Sequence, residues 1–553
     1  MCSLVDISAV VPSKASPAFP EPSCLWTEPS GIRMDPSATS RDAHSVSSPG
    51  ATAVRESTPV KRKCDTKAQK YIDLKMGEEP FRSGLVGVLA VTLKGDTLAE
   101  YGSLRKMVPA SNMKLISTGL AMEALGANYR FTTRLGYTGH ISGGALHGDL
   151  YIIGGGDPTI ASGDGMAPVT DSLFAMWKRA LTRAGIRKID GLVIGDGRFF
   201  DGSIENENWS YNDLGTDFGA GGNGLCFRRN IQTINAEPTS VGAKANAAVA
   251  YPSVPWLRFR VNAVTAPAGT GDNLYLFNSD MAPVAELRGS LGLDKGRREL
   301  KCSNKFGALT CAWNFAGYLR KSGVESSGAA DVDAYGSVRE AGRLVRDAAY
   351  VSARPAAGSG NMTVIGEFRS PSLVEIAKVT NARSDNFYAE TLFRILSKER
   401  TGSASYDSCN VVVVRGLERL GVDCGSGVRI VDGSGLARHN YVSPDFFCRF
   451  LKAMAGTGVA RQYVSTLPIA GGSRMRGCQE SLRRRVRMKS GSMNGVLCYS
   501  GYILPSADSS SASSGSALSD DTVVFSIMTN NIVDNPAEVR RFIDTLLNLL
   551  CTE

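Results

Sequence analysis

Ser111 and Lys114 are the first residues of this 553-residue sequence whose types and spacing suit a reaction. They belong to Pro109-Ala110-Ser111-Asn112-Met113-Lys114, which runs into an apolar stretch ending at Gly126. Three residues is close to one helical turn, so both side chains share a face. A helix start leaves backbone N–H groups without partners and carries the positive end of the helix dipole. Both favour negative charge near the serine oxygen. A neutral lysine amine beside that serine would take the hydroxyl proton, the usual need of a weak nucleophile. Together they form an acyl-transfer device.

Context separates this pair from its imitations. Ser103-Leu104-Arg105-Lys106 has the same spacing but no apolar helix after it. Lys321-Ser322-Gly323 follows a helical pattern and reads as a helix C-cap, with glycine past the last turn. Lys489-Ser490-Gly491-Ser492 instead alternates as a strand and leads into Asn494-Gly495, a strong hairpin turn. Ser359-Gly360-Asn361 matches S-x-N, but only Ser384-Asp385-Asn386 opens a helix, expected over Asn386 to Glu399 as an amphipathic element.

Other elements follow from periodicity. Leu85 to Leu93 reads as a buried strand and the stretch around Leu98 to Tyr101 as its hairpin partner. The helix after Pro109 is apolar nearly all round and is expected at the centre of a core. From about Tyr129 to Gly360 the texture changes to short strands and many glycines, with a helix over Leu173 to Ala184. Helical spacing returns at Leu373 to Val379 and Val411 to Leu420, and the chain closes on Thr522 to Met528 as a strand and a helix. Ser506 to Asp520 is a low-complexity solvent loop. The expected division is 1–78 without fixed structure, 79–132 as the first part of a catalytic domain, 133–361 as an insertion, and 362–553 as the second part.

Composition narrows the function. The chain is 43% hydrophobic and 21% charged, ordinary for a globular protein of two or more domains. Its net charge of +9 has no concentrated basic stripe, so nucleic acid is not expected as a partner. No window approaches the roughly 18 uninterrupted apolar residues of a membrane span, and Leu4 to Val11 is too short and acidic for a signal peptide. With 4 histidines and 12 scattered cysteines lacking C-x-x-C pairs, neither a metal nor another cofactor is expected. Cys302 and Cys311 are the closest cysteine pair, open to a disulfide or to isolated buried thiols. The glycine clusters at 154–156 and 219–224 do not continue into a phosphate-binding loop.

The three selected motifs occur in the order of the penicillin-recognising serine acyltransferases. More specifically, the sequence resembles the class C low-molecular-mass penicillin-binding proteins, the D-alanyl-D-alanine carboxypeptidase/endopeptidase family. Gly148-Asp149-Leu150-Tyr151, Gly155-Gly156-Asp157-Pro158-Thr159, Asp432-Gly433-Ser434-Gly435-Leu436-Ala437-Arg438 and Leu467-Pro468-Ile469-Ala470-Gly471 carry the likeness, from about residue 80 onward. The 270-position separation of Lys114 and Ser384 suits a catalytic domain split by a large insertion, whereas β-lactamases of this fold have a far shorter gap. Ser490 stands where the family more often has threonine, and Ser473-Arg474-Met475 departs from a usual Gly-Thr turn.

The resemblance implies an α/β fold: an antiparallel β-lactamase/transpeptidase-like sheet with helices on both faces, split by a β-rich insertion. It implies that Ser111 attacks, Lys114 acts as base, and Ser384 relays a proton to the leaving amine. Asn386 would hold Lys114 and the substrate amide, and Lys489, Ser490 and Gly491 would bind the substrate's terminal carboxylate. The N–H groups of Ser111 and Ser492 would form the oxyanion hole. Asp157 and Arg438 would hold the ammonium and carboxylate ends of a peptidoglycan stem side chain, as suits their charges. Peptidoglycan stem peptides are the expected substrate, β-lactams the covalent inhibitors, and the cell envelope or periplasm the location. The alternatives are a β-lactamase or esterase of the same fold, or an idle wall-binding protein.

Overall fold

Two interleaved sets of apolar residues on one sheet decide the architecture. In β1 (Leu85–Thr92) Val86, Val88 and Ala90 point to one hydrophobic cluster while Leu89 and Val91 point to another, the period of two that a strand covered on both faces requires. The computed structural model describes residues 64–332, 338–340, 343–345, 362–471, 483–506 and 518–553. Most of the leader (1–63), the Ser359-Gly360-Asn361 motif, the Ser473-Arg474-Met475 turn and most of the 506–520 loop lie outside them.

The central sheet has the order β2-β1-β12-β11-β10, antiparallel throughout, with β2 Thr97–Tyr101, β10 Val486–Met493, β11 Val496–Ile503 and β12 Val523–Asn530. Strands from both ends of the sequence therefore build one sheet. One face carries α1 (Lys67–Lys75) and α10 (Pro536–Leu550), the other α2 (Met113–Leu125) with α5 (Leu373–Arg383), α6 (Asn386–Thr401), α7 (Tyr406–Arg419), α8 (Pro444–Ala455) and α9 (Ala460–Thr466). Helix α2 is buried from Met113 to Met122, as its uniformly apolar sequence requires. No helix among the described residues is long and apolar enough to cross a membrane.

Two expectations need correction. The N-terminal stretch to residue 78 includes α1, capped by Thr66 and by the Glu553 carboxylate, which accepts from Lys67 N and Ala68 N at 2.7 and 3.2 Å. Its sequence gives little helical signal because its stability comes from packing against α10, where Tyr71 stacks on Phe542 at 5.7 Å. Helix α6 is buried on every side rather than on one face. Its polar side is covered by the inserted region, whose backbone carbonyls at Asp201 and Gly222 accept from the buried Arg394 guanidinium.

The inserted region is built on a seven-stranded mixed sheet of order β8-β7-β6-β5-β4-β3-β9. These are β3 Thr132–Tyr137, β4 Leu150–Ile153, β5 Leu192–Asp196, β6 Gly328–Val332, β7 Val338–Glu340, β8 Arg343–Val345 and β9 Thr363–Arg369. Strand β9 pairs with β3, so the chain returns to the catalytic layers only at Ser370. Helices α3 (Thr170–Arg183) and α4 (Gly307–Lys321) pack through Phe174, Trp177 and Phe315. Helix α4 ends at the Lys321-Ser322-Gly323 cap. Smaller sheets lie between residues 231 and 303. Cys302 and Cys311 are free buried thiols.

Candidate active site

Ser111 sits in a short 3₁₀ turn, Ala110–Asn112, that feeds directly into α2. The preceding Ala110 has φ +47°, a left-handed conformation that a side chain disfavours by about 1–2 kcal/mol. Gly435 makes the turn possible: a Cβ there would lie 1.9 Å from the Ala110 carbonyl oxygen. One turn along, the Lys114 side chain is fully buried. Its Nζ lies 3.0 Å from Ser111 Oγ and donates to Asn386 Oδ1 and to the Ser434 carbonyl, both at 2.7 Å. Serine, lysine and asparagine thus meet in one hydrogen-bonded set.

Ser384 closes α5 in the left-handed conformation, φ 59° and ψ 41°, which turns its hydroxyl back toward the sheet. Its Oγ accepts from Lys489 Nζ at 2.9 Å. Asp385 caps α6, its Oδ1 accepting from Tyr388 N at 3.0 Å, and so presents Asn386 on the first turn of that helix. Lys489 is buried on β10, the outer strand of the central sheet, while Ser492 is exposed at its end. Gly491 lets β10 rest on the serine turn: a Cβ there would be 2.6 Å from Pro109 O and 2.9 Å from the N atoms of Ser111 and Asn112. All five expected catalytic side chains come together, with Ser490, Gly491 and Ser492 along one wall.

A buried acidic layer underneath escaped the sequence reading. Glu390 lies four residues after Asn386 on α6, and its carboxylate accepts from Ser434 N at 2.8 Å and Gly433 N at 3.2 Å. Those residues return carbonyls to Lys114 and, at 2.6 Å, to the Ser117 hydroxyl. Asp432 accepts from Gly435 N, Ala437 N, Asn440 Nδ2 and Trp209 Nε1 at 2.7–3.0 Å. Burial, and then the Asp432 charge, push the Glu390 carboxyl well above the usual range. Glu390 shares one side of α6 with Asn386, Arg394 and Ser397, a polar stripe that in sequence reads as a solvated face.

Asp157 and Arg438 lie outside the set around Ser111. Asp157, on the loop after β4, accepts from Thr159 N at 2.8 Å and Thr159 Oγ1 at 2.7 Å, and burial raises its carboxyl to about 6. Arg438 is exposed, three residues past the glycine that touches Ala110, and its charge pulls down the half-buried Asp213 carboxyl that burial pushes up.

An antiparallel sheet between helical layers, with S-x-x-K at a buried helix start, S-x-N on the opposite wall and K-S-G on the outer strand, defines a serine peptidase of the penicillin-binding class. The model of the D-Ala-D-Ala carboxypeptidase 3 (S13) family matches residues 71–350 and 338–550. The chain belongs to that family and is a serine-type D-Ala-D-Ala carboxypeptidase.

It is 27% identical over 462 residues to a D-alanyl-D-alanine carboxypeptidase of Actinomadura sp. (strain R39), covering 79% of this chain and 78% of that one. It is 25% identical over 432 residues to the D-alanyl-D-alanine carboxypeptidase DacB of Haemophilus influenzae, covering 76% and 82%. The crystal structure of penicillin binding protein 4 (dacB) from H. influenzae superposes with a TM-score of 0.69 at 23% identity, over 87% of this chain and 99% of that one.

Proposed function

We propose that the enzyme cleaves peptidoglycan stem peptides through an ester on Ser111. Ser111 Oγ attacks the carbonyl of the penultimate D-alanine as its proton passes to a neutral Lys114 amine. The N–H groups of Ser111 and Ser492 stabilise the oxyanion, each donor contributing on the order of 10²–10³ in rate. The C–N bond breaks, the D-alanine amine receives a proton through Ser384 Oγ, and water then hydrolyses the acyl-enzyme. Lys489, Ser490 and Gly491 hold the terminal carboxylate, while Asp157 and Arg438 take the ammonium and carboxylate of the stem side chain. With a crosslinked donor the same steps release a neighbouring stem, which is endopeptidase action. Penicillin acylates the same oxygen. Such a substrate places the enzyme in the cell envelope, on the periplasmic side.

The supporting observation is the pair of short lysine contacts, Lys114 to Ser111 and Asn386 on one side and Lys489 to Ser384 on the other. Intact-mass measurement after incubation with penicillin, and with a pentapeptide ending in D-Ala-D-Ala, tests the reading. A long-lived adduct on Ser111 together with D-alanine release is the expected result. Rapid penicillin turnover without D-alanine release would make the protein a β-lactamase, and neither adduct nor release would overturn the assignment of these residues.

A further inference from the structure

The Ser384-Asp385-Asn386 segment is fastened to the inserted region on both sides of its serine. Arg383 Nη1 donates to Asp164 Oδ1, and the Tyr388 hydroxyl donates to the other oxygen of the same carboxylate. Asp385 Oδ2 accepts from Arg229 Nη1. Asn386 Nδ2 donates to the Phe218 carbonyl at 2.9 Å. Asp164, Phe218 and Arg229 all belong to the inserted region, far from this segment in sequence. The two ion pairs have opposite polarity and sit one residue to either side of Ser384. Asp164 and Asp385 are 2% and 7% exposed, but Arg383 is 54% exposed against 22% for Arg229, so water screens the Arg229–Asp385 pair the less of the two.

Arg229 reaches Asp385 from an unusual turn. Arg228, Arg229 and Asn230 have φ of 53°, 56° and 51°, three consecutive left-handed residues without a glycine. The buried Asn230 holds the turn, accepting from Phe227 N at 3.2 Å and donating to Gly221 O at 2.9 Å. Gly307 leaves it room, since a Cβ there would be 2.0 Å from Asn230 Oδ1. A backbone this unfavourable persists only where its surroundings enforce it, and such sites concentrate at functional constraints.

We propose that the inserted region works as a clamp on the catalytic S-x-N segment, with Arg229 and Asp164 as positioning residues that hold Ser384 in its left-handed conformation. This rests on the reading of Ser384 as the proton relay. In that conformation the hydroxyl accepts from Lys489 Nζ at 2.9 Å, and the free tendency of a serine is to relax out of it. The clamp fixes the residues on either side and so removes the hinge about which Ser384 would turn.

Acylation by a chromogenic β-lactam tests this in the full chain. Arg229→Met should lower the acylation rate at saturating β-lactam by about 10-fold or more while leaving the concentration for half-saturation within about threefold, and Arg229→Lys should recover most of the loss. In a Ser384→Gly background, which has no hydroxyl to position, Arg229→Met should cost less than about twofold further. Hydrogen exchange of the peptide spanning residues 383–388 supplies a readout independent of activity. Faster exchange confined to that peptide in Arg229→Met and Asp164→Asn supports the clamp. Acylation within about twofold of wild type with unchanged exchange overturns it, as does an equal loss in both backgrounds. A wild-type protein that takes no β-lactam on Ser111 would strike the catalytic reading instead, leaving the exchange experiment to decide the clamp.

Discussion

Lys114, fully buried on the first turn of α2, delivers an amine to three oxygens, those of Ser111, Asn386 and Ser434. Lys114→Met should cut β-lactam acylation by about 10²–10⁴, the range of a lost general base. It should also leave Asn386 Oδ1 and the Ser434 carbonyl without that donor, lowering stability by about 1–3 kcal/mol in denaturant titration. Asp157 separates charge from structure. Its carboxyl is raised to about 6, so the folded state holds the proton more tightly than the unfolded chain. Its contribution to stability is therefore full at low pH and is lost as pH rises from its ordinary value through 6. Its proposed role requires the ionised form, so KM for a stem peptide with a free side-chain ammonium should rise below about pH 6 while kcat holds. Asp157→Asn keeps an oxygen for Thr159 and discards the buried charge. It should raise the melting temperature at pH 8, with a gain on the order of 2 kcal/mol, while KM for that peptide increases at least about tenfold. Ser111, Lys114 and Asn386 were legible because the reaction demands those side chains. The Ser434 contribution was not, because it acts through a backbone carbonyl.

The elements were legible where one local signal sufficed. Asn494-Gly495 announced the β10–β11 hairpin, where Gly495 has φ +74°, and the unbroken apolar run announced α2 as a buried helix. Helix α1 was illegible because only Ala68, Gln69 and Ile72 bury themselves and the partner surface arrives from the last helix of the chain. The polar residues of α6 concealed its full burial because decisive acceptors, the Gly222 and Asp201 carbonyls that take Arg394, lie more than 160 residues away in sequence. At this scale the decisive contact is β10 against the serine turn. Gly491→Ala would press a methyl into three backbone atoms of the serine turn, none of which can rotate away. Acylation should fall at least about 10²-fold through the displaced oxyanion site, with an overpacking cost of about 1–3 kcal/mol in thermal unfolding. Unchanged acylation would show that the strand is free to shift without opening the site.

Residues 63–553 form one compact unit despite the interrupted catalytic layers. The connection is polar as well as apolar: buried Arg394 donates to three carbonyls, two of them in the inserted region, and Trp209 Nε1 donates to Asp432 at 3.0 Å. Trp177, Trp209, Trp256 and Trp313, the tryptophans among the described residues, all lie in that region. Tryptophan fluorescence therefore reports its unfolding, while β-lactam labelling reports the catalytic layers. The two should be lost at the same urea concentration, and separate midpoints would show that the insertion folds on its own. The sequence interval announced an insertion of this size, but not its grip on α6, since ion pairs between distant segments leave no local pattern. The pairing of α1 with the end of the chain has one more consequence. Lys67 N is 2.7 Å from a Glu553 oxygen, and the sheet order β2-β1-β12-β11-β10 read backwards is β10-β11-β12-β1-β2. A circular permutant joined at this point and opened after β6 would bring the five strands of the central sheet into chain order, with α10 and α1 between β12 and β1 and every catalytic motif on one continuous segment.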